Sequence, residues 1–394
     1  MPRAKSYFSY IRRLMMIIGI WRIQNGEELS TKEKRLYHIY AATFQVISTS
    51  GGLSVLLEIP TLIKRTSVFS VPVLDNVSRV TMYGLIVFKM VMWRSKRMFD
   101  LLNIALEYDS QLAVHADPKI KEIYKQYLDY GDTVISIIFL SGVLIGFGIG
   151  IIGDINCYKY FMENKGRNVS GNPLPLNLWY PFDKNKYYTM VLVDQNIRPT
   201  MCCLCIGVVG ASVNSVVVFL TLQLKLLQYY FRNADTFRID DEVFEDIVER
   251  NLKLLCVKHQ ELIAFAEELR QTLKNIILIE YAVSSASIAI LILQTIASGE
   301  LVLNLTMLTY TVLQLLIFAW NCNEIIIQSS GLADALYQSN WYDQTKSTKA
   351  ILHVMMMRCQ KPIRLTIGMF GAMDLEAGVS RLKLGYTYTT LVHN

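Results

Sequence analysis

Three long stretches of the chain carry no Asp, Glu, Lys or Arg. Thr133 to Gly153 lies between Asp132 and Asp154, Pro199 to Leu224 between Arg198 and Lys225, and Leu301 to Asn323 between Glu300 and Glu324. A hydrocarbon core about 30 Å thick needs about 20 helical apolar residues, so each stretch predicts a membrane-spanning helix. Leu36 to Leu62, Val71 to Trp93 and Asn275 to Ser298 are apolar too but less purely so, with one or more ionisable residues each, and predict three further spans. Asp241 to Lys274 has a different pattern. It lacks Gly and Pro and places Phe244, Ile247, Val248, Leu254, Leu255, Leu262, Phe265 and Leu269 at helical intervals, which predicts an amphipathic helix outside the membrane with a stripe to bury. Lys119 to Tyr130 and Glu324 to Tyr342 could wall that stripe.

The end of the chain is more polar. Pro362 should interrupt any helix, leaving one piece from Ala350 to Ile363 and a second from about Leu375 to Val392. The second piece is long enough to cross much of a bilayer at about 1.5 Å per residue. With Arg381, Lys383, Thr387, Thr389 and Thr390 it belongs against protein or water, not lipid.

Composition agrees: of 394 residues 52% are hydrophobic and only 18% charged, where soluble domains are roughly one-quarter charged. Mean hydropathy is +0.30. Leu14 to Trp21 is followed by Arg22 instead of small cleavage-site residues, so the first span should do the targeting. Seven cysteines without a regular framework spacing argue against a metal cluster or a disulfide-stapled domain. Cys202, Cys203 and Cys205 are read as core. No paired carboxylates or His clusters suggest a transporter or membrane enzyme, and no cofactor is implied.

Positive charge sets the expected threading. The N-terminal arm (Arg3 to Arg35), the second loop (Arg94 to Lys125) and the fourth (Lys225 to Lys274) are rich in Lys and Arg, while the intervening loops are poorer. That places the N-terminus in the cytosol and, after seven spans, the C-terminus outside. This is the reverse of G-protein-coupled receptors, whose Asp-Arg-Tyr and Asn-Pro-x-x-Tyr motifs are also missing. Asn168 begins a glycosylation sequon in the third loop, on the expected outer side; the sequons at Asn76 and Asn304 fall at membrane ends and should be idle.

Several segments carry a family signature. Gln360-Lys361-Pro362-Ile363-Arg364-Leu365-Thr366-Ile367-Gly368-Met369-Phe370, then Leu382-Lys383-Leu384-Gly385-Tyr386-Thr387-Tyr388-Thr389-Thr390-Leu391, resembles the C-terminal pattern of the insect odorant receptors. Leu174 to Asp183, His259 to Leu269, Tyr337 with Trp341 and Tyr342, and Gly19 with Trp21 fit the same family. Arg381 stands where the family usually has an apolar residue, and Thr389 replaces an aromatic. The resemblance is to an odour-specific tuning subunit, because co-receptors carry a much longer fourth loop. Gustatory receptors share the architecture, but here Thr387-Tyr388 is followed by His393-Asn394.

The resemblance implies an all-α integral membrane protein of seven transmembrane helices. It would form a tetramer with an odorant co-receptor, and its last helices would line a central cation pore in the plasma membrane of a sensory neuron. On that reading residues 1–35 form a cytosolic arm, and 36–323 a six-helix bundle that includes the cytosolic region 225–274. Residues 324–363 form a cytosolic anchor, and 364–394 the pore helix. Thr387, Thr390, Leu391 and Val392 are the candidate pore and gate residues, since a narrow apolar ring shuts a hydrated pore. A small volatile ligand calls for an apolar, aromatic and Met-lined pocket in the outer half of the membrane. Val80, Met82, Tyr83, Gly146, Phe147, Gly150, Met201, Met307 and Tyr310 are the candidates. Trp179 to Phe182 would roof it or form an interfacial belt. Asp75 and Arg79 could pair on one helix face, Lys89 and Glu280 should snorkel to the inner surface, and His259 is read as a packing residue.

Overall fold

The computed structural model describes residues 6–23, 30–67, 70–115, 117–163, 173–235, 247–297 and 301–393, with side chains from 386 onward described only at Thr387. Among the described residues ten α-helices follow one another: α1 (Ser9–Ile17), α2 (Thr31–Arg65), α3 (Val71–Trp93), α4 (Lys96–Val114), α5 (Pro118–Glu163), α6 (Tyr188–Arg232), α7 (Ile247–Ala297), α8 (Leu301–Tyr337), α9 (Lys346–Cys359) and α10 (Leu375–His393). The described residues contain no β-strand. The helices α2, α5, α6, α7 and α8 are long and apolar enough to cross a membrane. Asp75, Arg79 and Lys89 make α3 less apolar and α10 is shorter and polar, yet both pack into the same bundle, α3 on α2 and α7, α10 on α7 and α8.

The predicted apolar segments are helical, and several run on without interruption into the segments beside them. The amphipathic segment and the sixth span are one continuous helix, α7, of 51 residues, and α5 likewise runs unbroken from Pro118 through the third span. Lipid and water demand different side chains but the same helical backbone, so a change of composition at the membrane surface does not stop a helix. Asp241 and Phe244, at the expected start of the amphipathic segment, lie outside the described residues.

At one end of the bundle, here the anchor end, α4, α9 and the extended halves of α5 to α8 pack together. Leu252, Leu255, Leu262, Phe265, Leu269 and Leu273 of α7 turn inward there. The N-terminal arm plugs this region. Tyr7 and Phe8 pack on Phe219 at ring distances of 5.5 and 5.0 Å, and the Tyr7 hydroxyl donates to the Ser215 carbonyl at 3.1 Å. Buried Asp109 of α4 gathers the arm. It accepts from Ser6 Oγ (2.5 Å), Tyr7 N–H (3.2 Å) and the Tyr124 hydroxyl (2.7 Å). Burial first, then the neighbouring carboxylates, raises the Tyr7 and Tyr124 hydroxyls above the usual tyrosine range, so both stay neutral donors. After α1 the chain reverses through a Schellman turn, with Ile20 N–H on Met15 O and Gly19 N–H on Met16 O. Gly19 has φ +68°, and a Cβ there would sit 2.6 Å from Ala41 Cα, so only glycine fits.

The opposite end, the loop end, is closed by residues 173–187. Gln195 of α6 clasps the Leu176 backbone through both its amide groups, Asn76 donates to Asn177 O, and Trp179 N–H bonds Ser54 O. Pro362 lies just beyond α9, in a turn that folds back through an isolated bridge between Thr366 and Ala372 before α10 begins.

Candidate functional site

The bundle leaves a cavity of about 200 Å³ between α3, α5, α6, α7 and α8, roofed by Leu176 and Leu178 of the loop. Its middle is apolar and sulfur-rich, with Met82, Tyr83, Cys202, Cys203, Ile206 and Met307 on the walls. Tyr83 fits because α2 presents Gly51 and Gly52 to its ring. A Cβ on Gly51 would lie 2.6 Å from the hydroxyl. Tyr310 is fixed by Gln314, whose Nε2 donates to the tyrosine oxygen at 2.5 Å. A few oriented polar groups in an apolar wall are what a pocket for a small volatile molecule needs.

Both ends of the cavity are charged. At the loop end Arg79 and Asp75 pair at 2.6 Å, one helical turn apart, and Arg198 pairs with Asp194 at 2.6 Å. A more polar hollow of about 330 Å³ shares Asp75, Arg79 and Leu176 with the cavity and opens toward the loop end, giving a route in. At the far end Lys89 and Glu280 do not snorkel apart. They meet across α3 and α7 at 2.7 Å, with Lys89 buried. Beside them Arg381 of α10 lays its guanidinium 4.1 Å from the Tyr281 ring centroid.

Of the nine pocket candidates read from the sequence, Met82, Tyr83, Met307 and Tyr310 line this cavity. Val80 packs instead on the loop cluster of Val55, Leu176, Leu178, Tyr180 and Val191. Gly146 and Gly150 are helix contacts. A Cβ on Gly146 would lie 3.1 Å from Thr200 Cα, and one on Gly150 would strike Asn196 Oδ1. Met201 is half-buried beside Cys202 and is not on the cavity wall. Phe147 is 57% exposed and points out of the bundle. Trp179 is 39% exposed, while the tilted rings of Tyr180 and Phe182 meet at 5.4 Å within the loop, and the roof of the cavity comes from Leu176 and Leu178 instead of the aromatic run.

Thr387 is exposed on α10, its hydroxyl bonded to Lys383 O at 2.9 Å. Thr390, Leu391 and Val392 lie on the last turns of α10, with side chains outside the described residues, as Asn168 is altogether. Gln294, Asn304, Gln314 and Arg381 also line the cavity, and being neither aromatic nor Met they are not marked by residue type alone. For Arg381 alone a signal existed: it breaks the apolar pattern of its segment. The described residues hold no cluster of metal-ligating side chains.

Long helices closed around a small, largely apolar cavity, sealed at one end by a loop and touching the last helix at the other, define a polytopic α-helical membrane protein. The sequence profile described as 7tm Odorant receptor matches residues 72–386; the chain belongs to that family. Odorant receptor 30a of Drosophila melanogaster is 26% identical over 229 residues, which span 56% of this chain and 59% of that receptor's length. The odorant receptor coreceptor of Anopheles gambiae is 25% identical over 148 residues, 36% of this chain and 31% of that one. The fold matches the insect olfactory receptor OR5 from Machilis hrabei with a TM-score of 0.78 at 13% identity, covering 98% of this chain and 97% of that one. It also matches the same receptor in complex with eugenol, with a TM-score of 0.76 at 13% identity, covering 97% of both.

Proposed function

We propose that this chain is the odour-selective subunit of a non-selective cation channel, gated by a small volatile ligand and assembled with an odorant co-receptor in the plasma membrane of a sensory neuron. The observation that carries the reading is the cavity, whose walls come from α3, α6, α7 and α8 and whose far end is formed in part by α10. A ligand there touches the helix that would line the pore. Binding that is tighter when α10 is displaced favours the open state by that difference in affinity. Thr387, Thr390, Leu391 and Val392 supply the hydrated wall and the apolar constriction of the pore in this reading.

Family membership, the fold shared with an olfactory receptor solved with eugenol, and the similarity to a coreceptor support it. Whole-cell current in cells expressing this chain, alone and with a co-receptor, tests it against a broad panel of volatiles. Current evoked only in the presence of the co-receptor, and weakened when Tyr83→Ala or Met307→Trp alters the cavity, is the expected result. Current from this chain alone would replace the heteromer with a homomeric channel of the gustatory kind. Silence despite surface expression would overturn the channel.

A further inference from the structure

The far end of the cavity holds more positive than negative charge. Three of the four cations on the cavity wall have carboxylate partners: Arg79 with Asp75 at 2.6 Å, Arg198 with Asp194 at 2.6 Å, and Lys89 with Glu280 at 2.7 Å. The fourth, Arg381, makes no ion pair or hydrogen bond with the described residues. It is 2% exposed, its Nε is a buried donor with no acceptor among the described residues, and its guanidinium lies over the face of Tyr281. Glu280 is the neighbouring carboxylate, and Lys89 already engages it. Two cations therefore share one anion where the cavity ends.

A guanidinium does not shed its charge inside a protein, and a buried charge without a partner is costly. An aromatic face offsets part of this cost but leaves the N–H donors unfilled. We propose that this end of the cavity is an anion subsite, and that the ligand for which this receptor is selective is a small aliphatic carboxylate whose head is held by Arg381. The inference rests on the cavity being the ligand site, as proposed above. The guanidinium fork matches the two oxygens of a carboxylate, and the alkyl tail lies along Met82, Tyr83, Met307 and Tyr310. A neutral ester or alcohol of the same length fills the apolar part but leaves the charge unanswered. Because Arg381 stands on α10, ten residues before Leu391 and about 15 Å from it along the helix, the bound head acts on the proposed pore helix directly.

The test compares octanoate, octanol and methyl octanoate on the complex of this chain with the co-receptor, in the wild type, Arg381→Met and Arg381→Lys. Octanoate should be the most potent on the wild type. Arg381→Met should weaken it by roughly tenfold or more, the scale of a lost charged hydrogen bond, while leaving the two neutral compounds within about threefold. Arg381→Lys should retain part of the preference. A wild type that favours the neutral compounds, or an Arg381→Met variant that shifts all three equally, overturns the proposal while the receptor reading stands.

A second measurement does not depend on gating. Octanoate should raise the melting temperature of the detergent-solubilised complex in the wild type and not in Arg381→Met. If that shift occurs although no volatile evokes current, the subsite stands and the channel reading falls. Equal stabilisation by chloride overturns the carboxylate in favour of an inorganic anion.

Discussion

Asp109 shows how a single side chain can join segments far apart in sequence. Its carboxylate takes hydrogen bonds from Ser6, Tyr7 and Tyr124, and it is 1% exposed. Asp109→Ala strands buried donors, each costing about 1–3 kcal/mol when unmet. The expected loss is about 2 kcal/mol, read as a lower melting temperature of the purified chain, with the N-terminal arm becoming open to proteolysis. His259 carries a different lesson. Burial against Phe231, then the nearby Arg358 charge, lowers its imidazole from 6.5 to about 4, so the folded protein holds it neutral. Between those two values the unfolded chain binds a proton that the folded one refuses, so stability falls with falling pH across that window and is flat in this residue above it. His259→Leu should flatten the melting-temperature profile between pH 6.5 and 4 by the equivalent of about 3 kcal/mol. An unchanged slope would show that the imidazole is not the group that titrates.

Among the elements, α5 and α6 form the most extensive helix pair, and glycine makes it close. Gly142, Gly146 and Gly150 recur every fourth residue on α5 and bring its backbone against Thr200, Cys203 and Gly207, the small-residue packing that membrane helices use where hydrophobicity cannot drive association. Gly146→Val should force the pair apart and cost about 1–3 kcal/mol. Gly148 faces open space, with nothing within 4 Å of a built Cβ. Gly148→Ala should therefore be neutral or stabilise by up to about 1 kcal/mol, and comparing the two melting temperatures checks the seam. The spacing itself was visible in the sequence. It does not show which face of α5 meets α6, so residue type alone puts Gly146 and Gly150 of the seam, and outward-facing Phe147, on a pocket wall they do not line.

For the whole molecule, charge bias predicts a cytosolic N-terminus and an extracellular C-terminus after seven crossings. Epitope tags at the two termini of intact cells should stain oppositely, the C-terminal tag without permeabilisation. Asn168→Gln should remove a glycan-dependent mass shift, whereas Asn76→Gln should not, since Asn76 is buried and bonded to the loop backbone. Staining of the N-terminal tag on intact cells would reverse the orientation and with it the pore reading.

The sequence by itself determined that this chain crosses a membrane, roughly where each span lies, that Pro362 stops a helix and that the last helix is too polar for lipid. These follow from uncharged length, helix breakers and local composition, properties that need no second segment. It also carried the family signature. Tertiary structure alone decided which aromatic and sulfur side chains share a cavity, because Tyr83 and Tyr310 come from helices more than two hundred residues apart in sequence while Phe147 has the same chemistry and faces outward. It alone decided that Lys89 and Glu280, separated by 191 positions, pair, and that Arg381 has no ion pair among the described residues. Charge balance in a buried space depends on which side chains the packing brings within a few ångströms of each other, and no local pattern records that.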